Sequence, residues 1–464
     1  MTTVTKTLSL LAILGLSFSA WADIGNAAPD RIVQPISSSE VAAVPGTQPP
    51  LALPAYDQGR LSSTRTLAGV TMVFRRSAEQ QQALNELLAA QQDKTSPHYH
   101  QWLTPDQFAA RFGLSPNDVG QVKLWLESQG LTITRTSRSR TEITFSGTVG
   151  QVEAALHTEM HEYQVKGETH YANATPVSVP AAISGVVMGF RNLDNFHPKP
   201  HLRVNRHFTS NVTGNHFVVP DDFATIYDLQ TLYVAGLDGS GESIAVAGQS
   251  TISLTDIDEF RTAANLPTNN PTLTLVPGTG VAAECSGDET ESDLDVEWSG
   301  GVAKNANVIF LYAGLAAGDT CSARTYSAFD ALSYAVDQNI APVISISYGL
   351  CEPEFTLASA QSVQLTVQQG NAQGQTVVAA AGDSGAADCD YQVTSATQGF
   401  AVDVPAAIPE VTGAGGTEFF GDPASLQTTT YWNATNDADM GSAIQYIPEE
   451  GWNDTTESIA DGGD

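Results

Sequence analysis

The chain has 464 residues, of which 51 are acidic and 20 basic, and 42% are hydrophobic. That length exceeds one ordinary domain, so at least two are expected. The net charge of −31 argues against nucleic acid and against anionic membrane surfaces as partners, because both would be repelled.

Lys6 precedes a short apolar run, residues 8–18, and then Ala20-Trp21-Ala22. This order reads as a secretory signal over residues 1–22, cleaved after Ala22. The run is too short to cross a bilayer, which takes about 20 apolar residues. The mature protein is therefore expected to be soluble and exported, outside the cell or in the periplasm. Residues 23–55 are rich in Pro, Ala and Ser and are expected to be a flexible segment.

A small α+β domain is expected over residues 56–197. Residues 70–74 read as a strand, and Ser77 with Gln80 makes a capping box for a helix carrying Leu84, Leu87 and Leu88. Thr104-Pro105-Asp106-Gln107 is a second cap, with Pro105 where a missing N–H costs nothing. Ser115-Pro116-Asn117-Asp118 repeats the device, and Val119, Val122 and Leu126 supply a buried face. Alternation predicts strands over residues 131–134 and 142–145, and a last helix over residues 149–160. The four Asn-x-Thr sequons, at Asn173, Asn211, Asn433 and Asn453, are candidate glycan sites of which most or all are expected to be bare.

Charge then changes abruptly. Residues 217–464 hold three basic residues, Arg261, Lys304 and Arg324, against 35 acidic ones, while residues 1–216 hold 17 basic and 16 acidic. All nine histidines, from His98 to His216, lie in the first part. Residues 198–216 are accordingly assigned to a linker and maturation region, and 217–464 to an acidic domain. Self-repulsion in that domain falls as carboxylates are protonated, which suits work in acid.

Buried strands are predicted over residues 243–247, 307–312, 343–347 and 376–380, with helices over 328–338 and 358–370 between them. This is the pattern of a parallel α/β sheet. Gly239-Ser240-Gly241 fits no dinucleotide fingerprint. The four cysteines, Cys285, Cys321, Cys351 and Cys389, allow three disulfide connectivities, and neighbour pairing is expected.

The densest chemical signal is the acidic run 289–298. If it is helical, Glu291 and Asp295 are i and i+4 and share a face. Two carboxylates so placed do not both ionise cheaply, and one keeps a proton into the mildly acidic range. Spacing alone fits a solvated acidic face equally well. A second signal is Gly382-Asp383-Ser384-Gly385 after the fourth strand. Its serine cannot join a Ser-His-Asp triad inside a domain without histidine, so any base there is a carboxylate with acidic chemistry.

These features together resemble the sedolisin, or serine-carboxyl peptidase, family. The stretch from His98-Tyr99-His100-Gln101-Trp102 to Phe112-Gly113-Leu114 is similar to the activation domain of kumamolisin-type precursors. Glu291 with Asp295-Val296, Gly382 to Gly385, Tyr227, Ser347-Tyr348-Gly349 and Pro405 with Gly413 to Thr417 match the peptidase part. The resemblance implies a subtilisin-like sheet, Glu291 as general base and acid, Asp295 as its partner, and Asp383 as an oxyanion donor. A carboxyl donates to an oxyanion only when protonated. The implied activity is acid hydrolysis of peptide bonds in protein or peptide substrates, with the activation domain as intramolecular inhibitor released by acid as histidines and carboxylates protonate. The family's late Gly-Thr-Ser motif does not occur in this sequence, so the nucleophilic serine is expected beyond Asp464, as are the ligands of a calcium cofactor. On that reading the sheet is incomplete and the chain inactive as it stands. The alternative is a non-catalytic binding or inhibitory module on the same fold.

Overall fold

The computed structural model describes residues 28–200, 218–390, 395–419 and 430–451. The expected signal over 1–22 and most of the expected linker, residues 201–216, lie outside the described residues.

In the first unit an antiparallel sheet runs in the order Thr132–Thr136, Glu142–Thr148, Thr66–Phe74, Val187–Arg191. Helices Pro116–Ser128 and Val149–Leu156 cover one face. Their Val119, Val122, Leu126, Val149 and Val152 close a single core with Val70, Met72, Ile143 and Phe145 of the strands. The expected caps form: Ser77 and Thr104 make reciprocal capping boxes with Gln80 and Gln107, and Ser115 accepts from the Asp118 N–H.

Three expectations need correcting. The last helix stops at Leu156, because His157 adopts a left-handed φ of 46° and Met160 starts a strand. That strand, Met160–Val165, pairs with Glu168–Asn173 in a hairpin whose alternation is hidden by charged residues. The Pro- and Ala-rich segment is not loose from Ala28 onward. Its Ile32 and Val44 enter the core, the Arg31 and Ile32 N–H groups donate to Asp118, and Val41–Ala43 pairs with Ser178–Pro180. Composition reports local periodicity, whereas this order comes from distant partners. The Asn173 side chain is fully buried and donates to the Thr47 and Thr175 carbonyls, which leaves no room for a glycan.

The acidic unit is a six-stranded parallel sheet, in the order Thr272–Leu275, Asn307–Tyr312, Ser243–Gly248, Val343–Ile346, Thr376–Ala380, Thr412–Ala414. Its four inner strands are those read from the sequence. The two edges are short, one half-exposed and the other exposed, so they carry little apolar signature. Alternate residues face opposite layers: Ala245, Ala247 and Leu311 meet helices Ala328–Gln338 and Leu357–Ala372, while Val246, Phe310 and Val308 meet Leu254–Ala263 and Ser286–Val302. Disulfides join Cys285 to Cys321 and Cys351 to Cys389, the neighbour pairing expected. Among the described residues no helix is long and apolar enough to cross a membrane.

The free face of the first sheet docks on helices Ala328–Gln338 and Leu357–Ala372. Gly69, at φ 65°, faces the Tyr326 ring where a side chain would collide. The buried Arg76 guanidinium donates to Gln368 Oε1 (2.7 Å) and the Leu365 carbonyl (3.0 Å). Asp337 accepts from the Arg138 N–H (2.9 Å), the Ser139 N–H (3.0 Å) and the Ser139 hydroxyl (2.9 Å). Asp330 accepts from Asn192, and Glu354 pairs with Lys166. Across this interface the three carboxylates thus meet backbone N–H groups of Arg138 and Ser139, the Ser139 hydroxyl, the Asn192 amide and the Lys166 ammonium.

Candidate active site

Helix Ser286–Val302 carries the predicted pair. Asp288 and Glu289 in its first turn oppose the helix dipole favourably. Its buried stripe is unusually polar: Asp288, Glu291, Ser292 and Val296 recur at helical spacing against the sheet. Glu291 is 3% exposed, which decides between a solvated face and an enclosed one in favour of the latter. Asp295 stands one turn on, and its Oδ1 accepts a 2.6 Å hydrogen bond from the Ser347 hydroxyl, while Oδ2 is sealed from solvent. Burial pushes the Asp295 carboxyl up to about 7, partly offset by the Ser347 hydrogen bond. A proton-holding carboxyl is therefore present as expected, but enclosure, not repulsion between the pair, is its leading cause.

Beneath the pair lies a network that sequence reading missed. The Arg324 guanidinium, 3% exposed, donates to Asp288 Oδ2 (2.8 Å), to the Gln249 carbonyl and to the Cys321 carbonyl. Gln249 Nε2 donates to Asp288 Oδ1 (2.9 Å), and the Tyr348 hydroxyl donates to the Asp288 carbonyl (3.0 Å). These bonds tie the first turn of the helix to the ends of two sheet strands. The available signal was Arg324 itself, one of three cations in a strongly acidic domain and so a candidate for burial with a carboxylate.

Asp383 follows strand Thr376–Ala380, and Ser347 follows the adjacent strand Val343–Ile346, so both reach the carboxyl edge of the sheet. In open parallel sheets that edge is where ligands bind. Asp383 is half-buried, whereas Ser384 is 2% exposed and is no accessible nucleophile. Gly382, at φ 110°, has the Asp388 carboxyl where a Cβ would stand. Across this edge runs the end of the first unit. Lys199–Pro200 pairs antiparallel with Tyr348–Cys351, the Pro198 carbonyl accepts from Gln249, and His197 lies beside Arg324. Burial next to that guanidinium drives His197 down to about 3.

Asp256, Glu289 and Asp293 bring carboxylate oxygens within 4.8 Å of one another. Burial and neighbouring carboxylates raise Asp293 to about 6 and Glu297 to about 7. Calcium takes about six to eight oxygens, commonly including backbone carbonyls. Here the side chains project from two helices whose carbonyls are engaged internally, so the trio does not fit a calcium site.

Comparison with known proteins completes the picture. Residues 55–196 match "Pro-kumamolisin, activation domain", and residues 265–445 match "Subtilase family". Xanthomonalisin from Xanthomonas sp. (strain T-22) is 30% identical over 383 residues, covering 76% of this chain and 46% of that protein. In both of its units the chain is similar to the sedolisin–kumamolisin family. Two further members are similar: kumamolisin from Bacillus sp. (strain MN-32), 26% identical over 86% of this chain and 71% of its own, and sedolisin from Pseudomonas sp. (strain 101), 27% identical over 75% and 60%. The chain thus spans about half the length of the first of these sedolisin relatives and 71% and 60% of the other two. Both parts of a sedolisin precursor, the α+β activation domain and the subtilisin-like sheet, are represented in it.

Proposed function

We propose that the protein is the precursor of a secreted, acid-acting serine-carboxyl endopeptidase. Glu291 is the general base and acid, Asp295 its partner and Asp383 the oxyanion donor. One observation supports this above others: a buried glutamate and a proton-holding aspartate one turn apart, at the edge of a domain whose residues 217–464 hold no histidine. Glu291 would take the proton of a serine hydroxyl and pass it to the leaving amine. Asp383, protonated in acid, would donate to the oxyanion. The reading places the nucleophilic serine, and calcium ligands, C-terminal to Asp464. Protein or peptide chains are the substrates, and the first unit is the intramolecular inhibitor, with Lys199–Pro200 lying over the edge where a substrate would bind.

The test is acid proteolysis of a denatured protein by the full-length gene product across about pH 2 to 7. Activity lost on Glu291→Gln and on Asp383→Ala supports the reading. If neither substitution matters, or no serine follows Asp464, the chain is a binding or inhibitory module on this fold.

A further inference from the structure

Asp295 has two chemically distinct oxygens. Oδ1 accepts from Ser347 at 2.6 Å, while Oδ2 is buried with no hydrogen-bond partner among the described residues. A protonated carboxyl carries its hydrogen on the oxygen that is not already accepting a short O–H bond. Ser347 is the residue directly after strand Val343–Ile346, and Tyr348 and Gly349 beyond it are themselves fixed. The Tyr348 ring is 1% exposed with its hydroxyl on the Asp288 carbonyl, and Gly349 abuts the Asp403 carboxyl with no room for a Cβ. The hydroxyl is therefore delivered from a rigid strand end onto one face of a helix.

We propose that Ser347 is a positioning residue: by occupying Oδ1 it leaves the Asp295 proton on Oδ2, setting Asp295 as donor to Glu291 one helical turn away. This rests on the peptidase reading for the role of Glu291, but not for the hydrogen bond itself. The side chain touches no reacting atom. It fixes which oxygen of its neighbour can give a proton, and so keeps Glu291 oriented and ionised enough to act as a base in acid.

Two measurements test it. In this chain, isotope-edited infrared titration of labelled aspartate, with Asp295→Asn subtracted, follows the Asp295 carboxyl. Ser347→Ala is expected to raise its midpoint by roughly half to one pH unit, and Glu291→Gln to shift its carbonyl band. In the full-length enzyme, Ser347→Ala should lower kcat about tenfold with KM unchanged and move the acid limb of the pH profile, and Ser347→Thr should restore both. An unmoved Asp295 midpoint in Ser347→Ala, an unmoved band in Glu291→Gln, or a threonine variant as impaired as alanine overturns the proposal. An inactive full-length enzyme defeats the peptidase reading, and the infrared arm then decides the Ser347 role alone.

Discussion

The two halves of the molecule use cations differently. In the first unit four arginines meet carboxylates of the same unit: Arg191 and Arg135 meet Glu142, Arg138 meets Asp106, and Arg60 meets Glu153, while others such as Arg140 serve backbone carbonyls. In the acidic unit the three basic residues are scarcer and mostly serve other partners. Arg261 donates to the Pro267, Gly300 and Lys304 carbonyls, and Lys304 lies over the Tyr233 ring. Among the described residues, Arg324 with Asp288 is the only ion pair internal to that unit. A unit with so few internal ion pairs has little salt-bridge stabilisation to lose when its carboxylates are protonated. A domain cross-tied by arginine–carboxylate pairs loses those ties in acid. The difference places more of the acid-labile ion pairs in the first unit than in the acidic one.

Four experiments sharpen or break this contrast. The largest effect is expected from Glu291→Gln in the full-length enzyme, a fall in kcat of about 10²–10⁴-fold at its optimum, read by proteolysis. Next, Arg324→Met leaves Asp288 buried without its cation and should cost about 3–5 kcal/mol at neutral pH, read by denaturant midpoint, with a smaller loss in acid. By comparison Arg60→Ala, at an exposed pair, should leave the midpoint unmoved. Asp337→Asn, which weakens three hydrogen bonds across the interface, should loosen docking by about 1–3 kcal/mol, measured as a shorter activation half-time.

The subtlest test is the pH slope. The pKa of His197 is lowered in the docked state, so its contribution is present above pH 6.5 and is lost as pH falls toward about 3. Asp295 and Glu297 are raised to about 7, so folding of the acidic unit is favoured as pH falls from about 7 toward the ordinary carboxylate range. Asp194, near His197 and also raised to about 7, runs with the acidic unit and opposes release. His197→Gln should therefore flatten the pH dependence of docking between about 6 and 4 without altering the unfolding of the acidic unit. An unchanged slope would remove His197 from the trigger.

Much of the fold was legible because it is local. Ser77, Thr104 and Ser115 announce their helices by chemistry a few residues away, and four inner strands declare themselves as apolar runs. Glu291 and Asp295 were legible for the same reason, since four residues of spacing suffices once the helix exists. What escaped is non-local. Nothing near Ile32 or Val44 in the chain marks them as core. The Met160–Val165 strand went unread, and the preceding helix was run on to its first residue, because the turn at His157 has no glycine. Arg324, Gln249 and Asp288 meet only through the sheet, and Ser347 drew notice through family resemblance before its bond to Asp295 gave it a physical reason.

Cys285 is the residue that opens helix Ser286–Val302, and its bridge to Cys321 clamps that opening to the loop bearing Arg324. Closing a loop of sequence separation 36 restrains the unfolded chain by about 4 kcal/mol in the chain-entropy account. The carboxyl pair therefore hangs from a covalent bolt that exists only where thiols are oxidised. In a reducing cytosol the helix would begin unfastened, and the machinery it carries would be assembled only where thiols are oxidised.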